Sequence, residues 1–241
     1  MRAFSWFELR TTAPRAACGF YKEALGFVVD AVDGQVALYA GGEAFGEVSE
    51  LPAQAAARGA PAHWLGHVGV DDVAAALQWF LARGASQLGP TRARADGSSV
   101  AAVRDPFGAV LALSSRTRPP PGAVVWCDLH VHDAGSSAAF YCEAFAWAPG
   151  RARAHESLTL QEFAWTPGGP AVGATSSAAR RSGVHTHWLF HFRVADIHAA
   201  AARVRAHGGR SVGDPVRVRE DAWSVVCEDP QGAAFAMRGP G

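Results

Sequence analysis

Lysine is almost absent from this chain: of its 22 basic residues only Lys22 is not an arginine, and alanine is abundant. That bias reads as the mark of a GC-rich genome and carries no functional information. An excess of either charge is missing as well, because basic and acidic residues number 22 each. A balanced chain lacks the electrostatic footprint of a protein that binds nucleic acid or an anionic membrane. No apolar run approaches the length of a bilayer span. The N-terminal residues enter a strand pattern with no signal-peptide core, so a cytoplasmic location is expected. The four cysteines, Cys18, Cys127, Cys142 and Cys227, are scattered without a CxxC pair. Buried, reduced thiols are expected rather than a disulfide framework or a zinc site. No Ser-His-Asp order or nucleophile elbow is present. Gly41-Gly42 and Gly168-Gly169 read as hairpin glycines, since neither leads into a helix as a phosphate-binding loop does.

What is present is an internal repeat. Trp6-Phe7-Glu8-Leu9 and the Phe20-Tyr21 motif (FYKEALGF) return as Trp126-Cys127-Asp128-Leu129 and Phe140-Tyr141 (FYCEAFAW), at an offset of 120 residues. His63-Trp64-Leu65-Gly66-His67 returns as His187-Trp188-Leu189-Phe190-His191, and Asp105-Pro106-Phe107-Gly108 as Asp229-Pro230-Gln231-Gly232, both at an offset of 124. The proline-rich stretch 116–122 reads as a stiff linker. Domains are therefore expected at 1–115 and 123–241.

Each half divides again. Phe4–Thr11 alternates as a strand does. A helix follows, with Thr12 as its expected cap, Pro14 in its first turn and Gly26 at its close. Short strands come next near 27–31, 35–40 and 43–49, with Asp33-Gly34 as a hairpin turn. The second quarter repeats the plan: a strand over His63–Val70, Asp72 as a cap, a helix with Val73, Leu77, Phe80 and Leu81 on one face, then Gly84. The fold class is α+β, four βαβββ modules in all.

Strand, helix with FYxEALGF, three strands and a closing DPxG turn resemble the vicinal-oxygen-chelate superfamily of glyoxalases, bleomycin-resistance proteins and extradiol dioxygenases. The likeness is to its two-domain bacterial glyoxalase-like members. It covers nearly the whole chain and implies two tandem domains, each with an open, curved sheet around a cleft. It also implies where metal ligands stand in metal-dependent members. Those positions fall here on Trp6 and Trp126, Leu65 and Leu189, Ala112 and Ala236, with Glu47 and its counterpart Ala174 at the remaining place. Trp, Leu and Ala supply no O or N ligand, so no metal and no cofactor are expected.

Alternation puts Trp6, Glu8 and Arg10 on one strand face, and Leu65, His67 and Gly69 on the corresponding face of the partner strand. The second half offers Trp126, Asp128, His130, and Leu189, His191, Arg193. By the resemblance these faces line the clefts. Glu8 with His67 and Asp128 with His191 are the candidate catalytic pairs, since a carboxylate tunes an imidazole for acid–base work near neutral pH. The competing reading binds Glu8 or Asp128 to an arginine such as Arg10, with the histidines merely lining the cleft. Candidate ligand-binding residues are Trp6, Arg10, Phe45, Glu47, Leu65, Trp126, His130, Leu189 and Arg193. His185, His187 and His63 read as solvated or capping, and Phe20, Tyr21, Phe140, Tyr141, Trp64 and Trp188 as core.

The leading expectation is a metal-independent protein holding a small apolar or aromatic organic molecule in one or both clefts, with no nucleic-acid or membrane partner, as monomer or homodimer. Two alternatives stand beside it. One is a cofactor-free lyase, isomerase or cyclase using the acid–imidazole pairs. The other is a metal-dependent dioxygenase or glyoxalase whose site is displaced onto Glu8, Glu47 and His67, or Asp128, His130 and His191.

Overall fold

The computed structural model describes residues 2–32, 35–118, 122–155 and 158–241. The expected Asp33-Gly34 turn, the prolines at 119–121 of the linker and the His155 side chain lie outside the described residues.

The first half runs β1 (Phe4–Thr11), α1 (Pro14–Leu25), β2 (Val28–Val32), β3 (Gln35–Ala40), β4 (Glu43–Glu50), α2 (Ala53–Ala57), β5 (His63–Gly69), α3 (Val73–Leu81), β6 (Ser86–Gln87), β7 (Arg92–Ala93), β8 (Ser99–Arg104) and β9 (Val110–Ser114). The second runs β10 (Val124–His130), α4 (Ala134–Phe145), β11 (Ala148–His155), β12 (Leu158–Ala164), β13 (Gly173–Ser176), a 3-10 turn (Ser177–Arg180), β14 (His187–Arg193), α5 (Ile197–Ala206), β15 (Arg210–Arg219), β16 (Ala222–Glu228) and β17 (Ala234–Gly239). One sheet is ordered β2-β3-β4-β1-β5-β9-β8-β6, with β7 also on β8; the other is ordered β11-β12-β13-β10-β14-β17-β16-β15. Strand for strand the two orders are the same, so the sequence repeat is a repeat of topology. The fold is α+β, two curved sheets with flanking helices built from tandem βαβββ modules.

Local chemistry explains most of these boundaries. Asp72, Asp133 and Asp196 cap α3, α4 and α5 by accepting from the amides of Ala75, Ser136 and Ala199, which satisfies donors a helix leaves open. Helix α1 differs from expectation: its N-cap is Ala13, not Thr12, and no side chain caps it. Pro14 at its first turn has no N–H to satisfy, which lowers the need for a cap. Gly26 ends α1 at φ 74°, as expected, whereas its counterpart Ala146 ends α4 at φ 58°.

By contact the chain gathers into two compact units. The first comprises Met1–Ser5, Gly66–Pro120 and Cys127–Trp188; the second comprises Trp6–Leu65, Pro121–Trp126 and Leu189–Gly241. Each draws on both sequence halves. The first unit's core joins Trp79 and Phe80 of α3 to Phe140 of α4, at ring separations of 5.1 and 5.2 Å. In the second, Phe27 meets Phe45 at 4.8 Å and Phe192 at 5.3 Å, and Trp64 meets Phe192 at 4.9 Å.

The motifs that betray the repeat meet inside these cores. Asp229 Oδ1 accepts from the amides of Gln231 and Ala233, holding the DPxG turn, while Oδ2 accepts from Tyr21 Oη at 3.3 Å. Trp64 Nε1 donates to the same phenol at 2.8 Å. The other unit repeats the chain: Trp188 Nε1 to Tyr141 Oη at 3.4 Å, Tyr141 Oη to Asp105 Oδ2 at 2.6 Å, and Asp105 Oδ1 taking the Phe107 and Ala109 amides. Both tyrosines are fully buried, and burial pushes their phenols and the two aspartates above their ordinary values. Phe20, Tyr21, Tyr141, Trp64 and Trp188 are core or packed at its edge, as expected.

The cysteines are all free; Cys127 and Cys227 are buried and Cys18 and Cys142 half-buried. No helix among the described residues is long and apolar enough to cross a membrane.

Candidate functional site

Because Trp64 bonds to Tyr21 on the helix side of its strand, alternation turns His63 and Leu65 to the opposite face. The edge-on contact of Phe7 with Phe190 at 4.8 Å fixes the same division on β1 and β14. Trp6, Glu8 and Arg10 therefore share one face of β1, and Leu189, His191 and Arg193 one face of β14.

In the second unit Glu8 sits in register with Glu47, and Arg10 with Ser49, across the parallel pair β1–β4. Glu8 is buried and fully engaged. Arg10 grips it with two bonds, Nε to Oε1 at 3.0 Å and Nη2 to Oε2 at 3.1 Å, and Ser49 Oγ donates to Oε1 at 2.6 Å. A forked guanidinium of this kind is among the stronger charge-assisted arrangements. Trp6 and Leu65 beside it are only 6% and 0% exposed. Glu47 is half-buried. Phe45 lies in the aromatic core against Phe27 and Phe192 rather than on this face. The cause is the register shift between Leu38 and Tyr39, which puts an extra residue into β4 at this point.

His63 is a residue that sequence reasoning set aside. Its Nδ1 lies 3.0 Å from the Pro61 carbonyl, and a carbonyl can only accept, so Nδ1 carries the proton and Nε2 is the acceptor. Burial lowers its pKa first; the Pro61 carbonyl opposes that, Arg10 adds to it and Glu8 opposes it. His63 thus lies within the electrostatic reach of the Glu8–Arg10 pair. The remaining groups of this unit are His191, whose Nδ1 is 3.1 Å from Ser224 Oγ, and Trp126, half-buried under the guanidinium of Arg238. Leu189 is buried and Arg193 exposed.

The first unit carries the counterpart of that arrangement. Asp128 and His130 pair in register with Ala174 and Ser176. His130 and His187 meet edge to face, ring centroids 4.9 Å apart. His187 repeats the tautomer of His63: Nδ1 donates to the His185 carbonyl at 2.7 Å. Burial lowers its pKa, the His185 carbonyl opposes, the His185 ring adds to the lowering, and Asp128 opposes it. Asp128, His130 and His187 are each half-buried. His67 is buried in this unit, in register with Ala112, as His191 is with Ala236 in the other.

Neither expected catalytic pair lies inside one compact unit: Glu8 and His191 belong to the second, His67 and Asp128 to the first. Within a unit, the acids share their surroundings with His63 and His187. One signal for this stood in the sequence, since His63 and His187 occupy the same place in the repeat.

A divalent metal needs three or four converging O, N or S donors. Trp6, Trp126, Leu65, Leu189, Ala112 and Ala236 offer none. Among the described residues no group of three His, Cys, Asp or Glu side chains is arranged to hold a metal ion. The side chains in this arrangement do not fit the metal site the fold implies.

The model for the Glyoxalase/Bleomycin resistance protein/Dioxygenase superfamily matches residues 3–113 and 123–237. CFP32 of Mycobacterium tuberculosis (strain CDC 1551 / Oshkosh), whose name proposes a glyoxylase, is 28% identical over 98% of this chain and 94% of its own. Among solved structures, 2,2',3-trihydroxybiphenyl 1,2-dioxygenase of Sphingomonas wittichii strain RW1 superposes with a TM-score of 0.68 at 14% identity, over 99% of this chain and 91% of the other. The Mn(II)-bound glyoxalase of Novosphingobium aromaticivorans gives 0.67 at 12% identity, over 99% and 83%. These likenesses correct the expectation of a metal-independent binder, since the neighbours in fold are metal-dependent dioxygenases and a Mn(II)-bound glyoxalase. That expectation rested on the missing ligands at Trp6, Trp126, Leu65, Leu189, Ala112 and Ala236, positions that the resemblance supplied. On the family match, the chain belongs to the Glyoxalase/Bleomycin resistance protein/Dioxygenase superfamily.

Proposed function

We propose that the chain is an enzyme of this superfamily acting on a small organic molecule, and that its second half holds the working site. One observation carries the reading: equivalent positions of the repeat hold different partners. In the first half Glu8 is saturated by Arg10 and Ser49. In the second, histidine replaces that arginine, so Asp128 shares its strand face with His130, and His130 packs on His187. A carboxylate locked by a guanidinium is chemically quiet, whereas an imidazole with a fixed tautomer, as in His187, presents an acceptor nitrogen to a substrate. The same reading places the protein in the cytoplasm, as a monomer or homodimer.

The test is turnover by the full chain of the two substrate classes its relatives' names suggest, catechols and thiol adducts of 2-oxoaldehydes. Each is assayed with added Mn(II), with added Fe(II) and in chelator, which also decides the metal requirement. His187→Gln and His130→Gln are expected to lower kcat/KM by about tenfold or more, some 1.4 kcal/mol of transition-state stabilisation, and His63→Gln to leave it unchanged. Equal losses from His63→Gln and His187→Gln would sink the assignment to the second half, and no turnover of either class under any metal condition would sink the enzyme reading.

A further inference from the structure

One face of the second unit holds a hydroxyl and an imidazole in contact. His191 on β14 and Ser224 on β16 stand 33 residues apart in sequence, and His191 Nδ1 lies 3.1 Å from Ser224 Oγ. No motif marks the pair, because the sheet brings it together. Strand β17 runs between the two, with Ala236 in register with both His191 and Val226, and Arg238 in register with Ser224. Trp223 packs on His198 of α5 at 5.5 Å, so alternation turns Ser224 and Val226 to the face away from that helix. All of these residues belong to the second unit.

The rest of this face suits a small carbonyl compound. Ala236 is small and fully buried, which lets the imidazole reach across β17 to the hydroxyl. Val212 and Val216 of β15, in register with Val226 and Ser224, are exposed and extend the face as an apolar wall. Arg193, two residues after His191 and exposed, adds positive charge on the same side. The equivalent places in the first half hold Val100 for Ser224 and Gly69 for Arg193. The hydroxyl and this cation therefore belong to one copy of the repeat.

We propose that Ser224 and His191 are a nucleophile and its base, forming a second reactive site that hydrolyses small activated esters through an acyl-serine. A hydroxyl becomes a nucleophile when an imidazole within hydrogen-bond reach takes its proton. Ser224 Oγ bonds to the ester carbonyl carbon as its proton passes to His191 Nδ1. The bond to the leaving oxygen breaks, and the departing phenol carries that proton away. Water then adds to the acyl carbon while its proton passes to Nδ1, and Ser224 Oγ leaves with that proton, releasing the acid. The positive charge of Arg193 favours the carbonyl oxygen as it turns negative. At 6% and 5% exposure, Ser224 and His191 admit a short acyl group and exclude a long one.

The experiment uses the full chain in chelator, with p-nitrophenyl acetate as substrate and a fluorophosphonate as a trap for a reactive serine. The native chain is expected to release p-nitrophenolate over repeated turnovers. The trap is expected to label Ser224, read by peptide mass spectrometry, and to stop that release. Ser224→Ala is expected to abolish the label and lower release to that of buffer. His191→Gln keeps a side-chain partner for Ser224 but no base, and is expected to slow both by about hundredfold or more at an unchanged melting temperature. Labelling of the native chain needs no variant, so a misfolded substitution leaves the test intact. No label on Ser224, a label confined to other residues, or labelling of the His191→Gln variant at the native rate would each overturn the proposal. Turnover of catechols or thiol adducts is read in its own assay with other residues, so this proposal and the enzyme reading fail separately.

Discussion

Trp6 and Trp126 occupy one position of the repeat and do different work. Trp6 is 6% exposed in the company of Leu65 and a locked Glu8, so its indole functions as filling. Trp126 is half-buried beneath Arg238. Trp6→Ala is therefore expected to open a cavity and cost about 3–5 kcal/mol. Trp126→Ala forfeits a half-buried cation–π contact and is expected to cost about 1 kcal/mol. Chemical denaturation of both variants checks this, and equal losses would remove the distinction. The same asymmetry runs through the neighbouring positions, where Arg10 faces Glu8 but His130 accompanies Asp128. The residue types were plain in the sequence. Their engagement was not, because the bidentate Glu8–Arg10 bond depends on rotamers and on the reach of Ser49 from another strand.

Helix ends show how a repeat drifts at the level of an element. Gly26 closes α1 at φ 74°, and Ala146 closes α4 at φ 58°. A side chain at positive φ crowds its own carbonyl, a cost of roughly 1–2 kcal/mol that glycine escapes. Ala146→Gly is expected to raise stability by about 1 kcal/mol, read as a higher melting temperature; an unchanged or lower value would mean the surroundings hold that turn without strain. Strand pairing sets a tighter limit. Gly46 and Gly173, equivalent residues of β4 and β13, lie so close to β1 and β10 that an added Cβ would stand 2.2 Å from the Phe7 carbonyl oxygen and 2.1 Å from that of Cys127. Element types and most caps were legible, since Asp72, Pro14 and Gly26 act within one helical turn of where they stand. The cap of α1 was misplaced by one residue, and the bulge that carries Phe45 into the core was not foreseen. Both depend on neighbours that sequence spacing does not reveal.

At the scale of the molecule, each compact unit is closed by a Trp–Tyr–Asp chain whose members come from both halves: Trp64 and Tyr21 with Asp229, Trp188 and Tyr141 with Asp105. Fragments 1–115 and 123–241, expressed apart, are thus expected to leave a buried aspartate without its phenol and an aromatic face uncovered. Neither is expected to unfold cooperatively alone, and mixing is expected to restore a cooperative transition by calorimetry. Independent, sharp unfolding of either fragment would show that the halves are self-sufficient. Two separate facts lie behind this prediction. The sequence by itself determined the repeat, the four modules, the family and the core standing of the Phe-Tyr pairs, because those follow from motif spacing and from periodicities of 2 and 3.6 residues, which are local. Only the tertiary structure decided which module packs with which and which imidazole accompanies which acid. Those are contacts between segments 36 to 208 residues apart, and no local pattern selects among segments that the repeat has made nearly alike.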